Sequence, residues 1–263
     1  MLIGKPGAAT TAIAAASSDR IMVRGRDLAR DLMGAVTFTD FAFLLAVGRP
    51  PTEDQRFFLD LALVALAEHG LTPSVQAARM TLAADPATLQ GAIAAGVLGC
   101  GTVILGAADL CRKLIEDVLA CADASGSLEA AALAVAREHR KERKALPGYG
   151  HPLHKPVDPR AERMIVLARE RGAAGRSVEA ALALTAAAAE VWGKPLPMNV
   201  SMTIAATLRD VGVPPGLIRA VPILARTAGL IAHCIEEAET PIGFLMASKG
   251  EEAIHHTAAE GAA

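Results

Sequence analysis

Aromatic residues are scarce in this chain of 263 residues. It contains one Trp, one Tyr and six Phe, so that aromatic side chains make up only 3% of it, although 52% of the residues are hydrophobic. Strands are enriched in aromatic and β-branched residues, whereas the abundant alanine and leucine are strong helix formers. The composition therefore favours an all-α protein with closely packed helices.

Cysteine is scarce as well. The four cysteines, Cys100, Cys111, Cys121 and Cys234, include no C-x-x-C pair and lie in apolar stretches. We therefore expect buried free thiols rather than disulfides or a metal site. The histidines are scattered without the spacing of metal ligands. The sequence predicts no bound metal and no permanently bound cofactor.

Excess charge and long apolar runs are also missing. A formal net charge of −2 gives no overall attraction to nucleic acid or to an anionic membrane, and we find no uninterrupted apolar run that indicates a membrane span. The first residues could be read as a short targeting peptide. The alternating segment that follows them favours a β-hairpin that turns at Ser17–Asp19, and we expect a soluble cytoplasmic protein.

From about Thr39 onward the spacing of apolar residues is helical. Gly48 is suited to cap the end of one helix, and a second is predicted over 53–69. Five glycines between Gly91 and Gly106 lower helix propensity, which tight helix packing or a bound ligand would explain. No linker separates the helices, so we expect two interleaved helical units.

The segment with most chemical promise reads GYGHPLHKPVDPRA, from Gly148 to Ala161. His151 directly follows Gly150, whose backbone can come close to a ligand, and Arg160 follows just inside a predicted helix. Asp158 can cap that helix, and Pro159 suits its first turn. A proton-transfer group and a fixed cation lie within a short stretch, which predicts binding of an anionic carbonyl compound.

For three further residues, the sequence leaves both a structural and a functional role open. Arg226 lies in an otherwise apolar helix, where an unpaired guanidinium is costly. It either forms a salt bridge with Glu190 or Asp210 or binds a ligand carboxylate. His233 fits a core position, and His69 fits the end of a helix.

A basic run, REHRKERK, immediately precedes the histidine segment. Such runs are usually solvated helix faces. This one could instead raise the local potential for a ligand that carries phosphate.

Taken in order, the segments GYGHPLHKPVDPRA, PMNVSMTIAATLRDVGVPP and ARTAGLIAHCIEE resemble the citrate synthase superfamily. The similarity extends over about residues 10–240 and is greatest to its short citryl-CoA lyase branch. It implies a citrate synthase-like all-α fold with a short N-terminal β-hairpin. Residues 1–107 and 205–263 would form a large, dimerising helical domain, and 108–204 a smaller helical domain.

The resemblance also implies roles for matched positions. His151 would hydrogen-bond the keto or hydroxyl oxygen of the substrate as the central catalytic group. His69, Arg160 and Arg226 would bind the carboxylates of an oxaloacetate or citryl unit.

Coenzyme A would be contacted by the backbone of Gly148, Tyr149 and Gly150 and by the charge of Lys155. It would be part of the substrate and product rather than a resident cofactor.

The chain departs from the family at three points. Leu105 takes the place of the histidine that stabilises the acetyl-CoA enolate, and Ser201 that of the aspartate that moves the methyl proton. Serine has no accessible pKa for that task, so Ser201, His154 or a water would have to replace the aspartate. No arginine follows Arg226, and only Lys249 is left to reach a partner's site.

Two hypotheses follow. The first is a homodimeric C–C lyase that splits citryl-CoA, or a related 3-hydroxyacyl-CoA, into acetyl-CoA and oxaloacetate. The second is a non-catalytic or altered member of the same fold that binds an oxo acid or a CoA ester. Neither involves nucleic acid or a membrane.

Overall fold

A computed structural model of the protein describes residues 9–150 and 153–255, apart from the side chains of residues 102 and 103. Its N-terminal part is an antiparallel sheet of three short strands, β1 (Ala14–Ala16), β2 (Ile21–Val23) and β3 (Arg26–Asp27). Ala15 faces Met22 in the register of the first pair. The predicted hairpin is thus confirmed, with a third strand added and a π-helical turn after it.

The rest of the described chain is helical, as the composition predicts. Its twelve α-helices are α1 (Phe38–Val47), α2 (Glu53–Ala67), α3 (Pro73–Ala84), α4 (Leu89–Leu98), α5 (Gly101–Leu105), α6 (Ala107–Ser125), α7 (Leu128–Lys141), α8 (Pro159–Glu170), α9 (Arg176–Trp192), α10 (Val200–Asp210), α11 (Pro215–Glu239) and α12 (Gly243–Ala253).

Local capping explains several of these boundaries. Thr37 and Asp40 form a reciprocal capping box at the start of α1, and Gly48 ends it in the left-handed conformation with φ 85°. The helix predicted over 53–69 ends two residues earlier, at Ala67. α12 has no side-chain cap, and no local pattern predicts it.

Two buried clusters share helices. The first joins α6, α7, α9 and α10, and the second joins α1, α2, α8, α10 and α11. Within α8, Ile165 belongs to the first cluster and Met164 to the second; within α10, Ala205 and Ile204 divide in the same way. α8 and α10 therefore bind the two clusters together, and the predicted domain division stays a prediction.

The long helix α11 packs against α2, α3, α4, α6 and α10. By length and composition alone it could cross a membrane, and 44% of its apolar window is buried inside the protein. A Cβ on Gly96 of α4 would lie 2.7 Å from Leu230 of α11. Close helix packing is therefore the explanation for that glycine.

All four cysteines are free, and three of them are buried. Burial raises the pKa of Cys111 to about 12, so this thiol stays protonated and inert. The expectation of free thiols is thus confirmed, and that of burial holds for all but Cys121, which is half-buried.

Candidate active site

The site is built where the end of α2 touches the middle of α11. A Cβ on Gly229 would lie 2.0 Å from the carbonyl oxygen of Ala67, so only glycine permits this contact. Arg226 and His233 flank Gly229 at helical spacing, three residues before it and four after it. The same face of α11 therefore presents both side chains to the segment that follows α2.

A tight turn follows α2. The Glu68 carboxylate accepts hydrogen bonds from the N–H groups of His69, at 2.8 Å, and Gly70, and its Oε2 lies 2.9 Å from His233 Nε2. Burial acts to raise the pKa of Glu68, but His233 and the N–H groups of Gly70 and His69 outweigh it, so the pKa is lowered. Glu68 is thus a carboxylate that joins the turn to α11.

A second buried carboxylate positions Arg160. Asp158 is completely buried, and its two oxygens bind the Arg160 guanidinium at 3.1 and 2.9 Å. The same carboxylate accepts the N–H of Arg160, which caps α8, and the N–H of Val200, which begins α10. Burial acts to raise the pKa of Asp158, but these partners lower it overall. The sequence predicted only the cap.

The side chains of His69 and His154 contact each other between the turn held by Glu68 and the Asp158–Arg160 pair. Their Nε2 atoms lie 3.1 Å apart, and their rings are edge to face at 82°. Burial, followed by the charges of Arg160, His154 and Arg226, lowers the pKa of His69, whereas Asp158 acts in the opposite direction. The predicted carboxylate binders His69, Arg160 and Arg226 therefore share one site, and His69 is neutral at pH 7.

Arg226 has the property expected of a ligand anchor. It is 7% exposed, and neither its Nε nor its Nη1 has a hydrogen-bond partner in the described parts of the chain. Both salt bridges considered from the sequence are wrong, because Glu190 pairs with Arg137 and Asp210 binds N–H groups at the start of α9. A buried cation in this state is stabilised by an incoming anion.

The central predicted residue, His151, lies outside the described residues. The chain just before it is held firmly: Asn199 donates from its backbone to the Gly148 carbonyl and from its side chain to the Gly150 carbonyl. The N–H of Gly150 donates to Pro197 at 2.7 Å. The backbone of Gly148 and Gly150 is therefore fixed to the segment that starts α10.

Some of the residues predicted to contact CoA in this stretch already make contacts within the protein. A Cβ on Gly148 would lie 2.7 Å from Met202 and 2.8 Å from Cys111, so this glycine is needed for packing. The Tyr149 hydroxyl donates to the Ala181 carbonyl at 2.5 Å. A CoA contact from Gly148–Gly150 stays a prediction, as does one from Lys155, which is exposed on the loop.

The departures from the family pattern also have defined places. Ser201 lies in the first turn of α10, where its N–H binds the Asn199 side chain, next to the Val200 N–H that Asp158 holds. Leu105 ends α5. Lys249 lies on α12 and pairs with Glu252 at 2.6 Å, so that carboxylate already engages its charge.

A basic recess of about 580 Å³ opens beside this loop. It is lined by Arg140, Arg143, Lys144, Ala145 and Trp192. Lys144 pairs with Glu142 at 2.7 Å, but Arg140 and Arg143 have no carboxylate partner among the described residues. The Arg140 guanidinium stands 5.7 Å from the centre of the Trp192 ring. The volume and the positive charge of the recess therefore suit an anion larger than a monoatomic one.

Metal chemistry has no candidate centre in the described ranges, where no three His, Cys, Asp or Glu side chains converge as ligands. Sequence reasoning missed the contact between Glu68 and His233 and the wide reach of Asp158. The signals available were a Glu directly before His69 and a Gly–His pair four residues apart in α11.

A family model described as "Citrate synthase, C-terminal domain" matches residues 8–243. Among solved structures, the chain is similar to citryl-CoA lyase from Hydrogenobacter thermophilus, with 28% identity and a TM-score of 0.82 over 97% of this chain and 96% of that one. No curated protein sequence matches significantly.

Two more distant structures share the fold. One is ATP citrate lyase from Methanothrix soehngenii in complex with citrate and coenzyme A, at 20% identity and a TM-score of 0.76, where 98% of this chain matches 43% of that one. The other is citrate synthase from Thermotoga maritima MSB8, at 21% identity and a TM-score of 0.66 over 87% of this chain and 58% of that one.

Proposed function

The chain belongs to the citrate synthase family, and from that premise we propose that it is a C–C lyase that splits citryl-CoA into acetyl-CoA and oxaloacetate. The observation that carries the proposal is the buried guanidinium of Arg226 beside His69 and Arg160, whose Nε and Nη1 have no hydrogen-bond partner among the described residues. The similarity to a citryl-CoA lyase along nearly the whole of both chains supports cleavage rather than synthesis.

The cationic half of the site fits the oxo-acid product. Two hydrogen bonds to Asp158 fix the orientation of the Arg160 guanidinium, which suits two-point binding of a carboxylate. Arg226 supplies a second cation in a buried setting, where its attraction to an anion is less screened than in water. His69, being neutral, can accept or donate a hydrogen bond without adding a charge.

The bonds and protons of the proposed cleavage balance without a cofactor. His151 takes the proton of the substrate's tertiary hydroxyl as the C–C bond breaks and the C–O bond becomes the carbonyl of oxaloacetate. The electron pair of the broken bond passes to the thioester fragment as an enolate, which takes up one proton to become acetyl-CoA. Fixed donors near the oxygen on which charge changes would lower the barrier.

The proton for the enolate needs a source other than the family's aspartate. Ser201 stands in that position, and its hydroxyl is too weak an acid to act alone. His154, in contact with His69, or a water bound near Ser201 would have to deliver it.

The basic recess is the proposed place for the phosphates of CoA. Guanidinium groups without carboxylate partners bind phosphate well, and the indole ring beside them offers a surface to a nucleotide base. Ala145, at the edge of the recess, is three residues from Gly148. The chain therefore leads directly from the recess to the loop that carries His151.

An accessory protein that binds an oxo acid or CoA ester without turnover is the second candidate. Leu105 and Ser201 favour it, because both replace groups that move protons in the family. Calorimetric titration with oxaloacetate, citrate and CoA, run beside the cleavage assay, separates the two functions. Tight binding with no thioester consumption would support the accessory protein.

The assay for the lyase uses the purified protein with citryl-CoA and related 3-hydroxyacyl-CoA esters. We expect consumption of the thioester, with a rate that falls by a factor on the order of a hundred or more in His151→Ala, the usual scale for a lost acid–base group. No consumption of any ester, with His151→Ala indistinguishable from the wild type, would refute a lyase.

We also propose that the protein is a homodimer. Large apolar side chains remain exposed on α11 and α12, among them Ile235 at 55% and Phe244 at 70%, and adjacent exposed apolar residues are typical of an interface. Light scattering that shows a stable monomer at micromolar concentration would contradict this.

A further inference from the structure

We propose that Glu68, backed by His233, is a positioning residue for His69. It fixes the turn after α2 so that the His69 imidazole lies within reach of His154, Arg160 and Arg226. The proposal rests on the proposed function for its effect on catalysis, but the position of His69 can be measured without turnover.

The Glu68 carboxylate holds the turn that follows α2. One Glu68 oxygen accepts both N–H groups of the turn, those of His69 and Gly70, and Gly70 has φ 74°, a conformation that favours glycine. Without the carboxylate, both N–H groups lose their acceptor. The turn would then lose the side-chain hydrogen bonds that fix the direction of the main chain at His69.

Glu68 is in turn held by His233. Its other oxygen lies 2.9 Å from His233 Nε2. On the far side of the ring, Nδ1 faces the Arg79 Nη1 at 3.4 Å and a Glu236 oxygen at 3.9 Å. Arginine can only donate, so the ring accepts at Nδ1 and carries its proton on Nε2, which contacts the Glu68 carboxylate without an aligned hydrogen bond.

Arg79 is a rigid support for this arrangement. It is 2% exposed, and its Nε binds Glu237 Oε2 at 2.6 Å. Glu237 also accepts the N–H groups of Ile242 and Gly243, at the start of α12. A line of contacts therefore runs from α3 and α12 through His233 and Glu68 to His69.

The test is the titration of His69, followed by NMR of the imidazole carbons in the full chain and assigned with His69→Asn. In the wild type the pKa of His69 lies below its ordinary value, for the reasons given above. Glu68→Ala releases the turn, so that His69 moves toward solvent and away from the two arginines, and its pKa should rise. Glu239→Ala, an exposed truncation on α11, is the matched control.

The direction of the change separates positioning from charge alone. Loss of a nearby carboxylate would by itself destabilise the imidazolium and lower the pKa of His69 further. An increase in Glu68→Ala, with no change in Glu239→Ala, supports the proposal. An unchanged or lowered pKa in a folded Glu68→Ala protein overturns it, whether or not citryl-CoA proves to be the substrate.

A second set of variants tests the part played by His233 and keeps side-chain volume. Glu68→Gln places an amide donor against the His233 N–H, or else against the turn. His233→Gln can present its own amide oxygen to that donor, so the double variant should restore the His69 titration better than Glu68→Gln alone. Additive effects would show that His233 does not act through Glu68.

For the reaction, Glu68→Gln should raise KM for citryl-CoA on the order of tenfold, the value of one hydrogen bond to a charged group, with a smaller change in kcat. The double variant should recover part of the loss. Equal losses in both Gln single variants and no recovery in the double variant would contradict the proposed order of contacts.

Discussion

Gly229→Ala should damage the site through a single methyl group. The added Cβ would lie 2.0 Å from the Ala67 carbonyl oxygen and 3.3 Å from Glu68 Oε2. Backbone atoms cannot rotate out of the way, so α2 and α11 must separate by more than about 1 Å to reach ordinary contact, a form of overpacking. His69 lies in the turn directly after α2 and would move with the end of that helix.

Two opposing terms set the magnitude. Overpacking costs about 1–3 kcal/mol, and alanine recovers up to about 1 kcal/mol of helix propensity relative to glycine. We expect a net loss of about 1–2 kcal/mol in the free energy of unfolding, or several degrees in Tm for a chain of this size. A displacement of about 1 Å at a catalytic group can cost on the order of a hundredfold in rate.

Gly216→Ala provides the control in the same helix. A Cβ there meets nothing within 4 Å, so this change should stabilise the helix slightly. Thermal denaturation and kcat/KM for citryl-CoA are measured on both variants. If Gly229→Ala matches Gly216→Ala in both quantities, the contact between α2 and α11 does not build the site.

Three further predictions follow from the charges. Arg226→Met removes a buried, unpartnered guanidinium, so Tm should rise while the thermal stabilisation by oxaloacetate disappears; a lower Tm would indicate an overlooked partner. Asp158→Asn should cost about 3 kcal/mol, since it breaks a buried pair, against less than about 1 kcal/mol for the exposed Asp123→Asn, as denaturant titration can check. Because the pKa of Asp158 is lowered by folding, its contribution is present above the ordinary aspartate range and is lost as the pH falls through its folded pKa; an acid-denaturation profile unchanged in the Asn variant would refute this. Arg143→Ala should raise KM for citryl-CoA about tenfold at low salt and less at high salt, and a salt-independent effect would exclude a phosphate contact.

The helices and most of their boundaries were predictable because their signals are local. Gly48 ends α1 through a left-handed residue, and Pro159 with Asp158 begins α8, as the sequence indicates. Both features depend on residues within a few positions of each other. α12 was missed because its start depends on Glu237, whose carboxylate binds the first N–H groups of that helix across a turn.

The proximity of His69, Arg160 and Arg226 was predictable, but the contacts that support them were not. His69, Arg160 and Arg226 stand out as polar residues beside apolar or small ones, and the family resemblance places them in one pocket. The failure of the Glu190 and Asp210 pairings with Arg226 depends on how α7, α9 and α11 pack, which no local pattern reveals. Gly229 could be recognised as a contact point only when Ala67 was seen against it.

Cleavage of citryl-CoA in this pocket is tested by quantifying both products of the reaction. We expect the wild-type protein to form one acetyl-CoA and one oxaloacetate for each citryl-CoA consumed, and His151→Ala to form both at a rate lower by a factor on the order of a hundred or more. Citryl-CoA that stays intact, or thioester loss that yields citrate and free CoA instead, would contradict it.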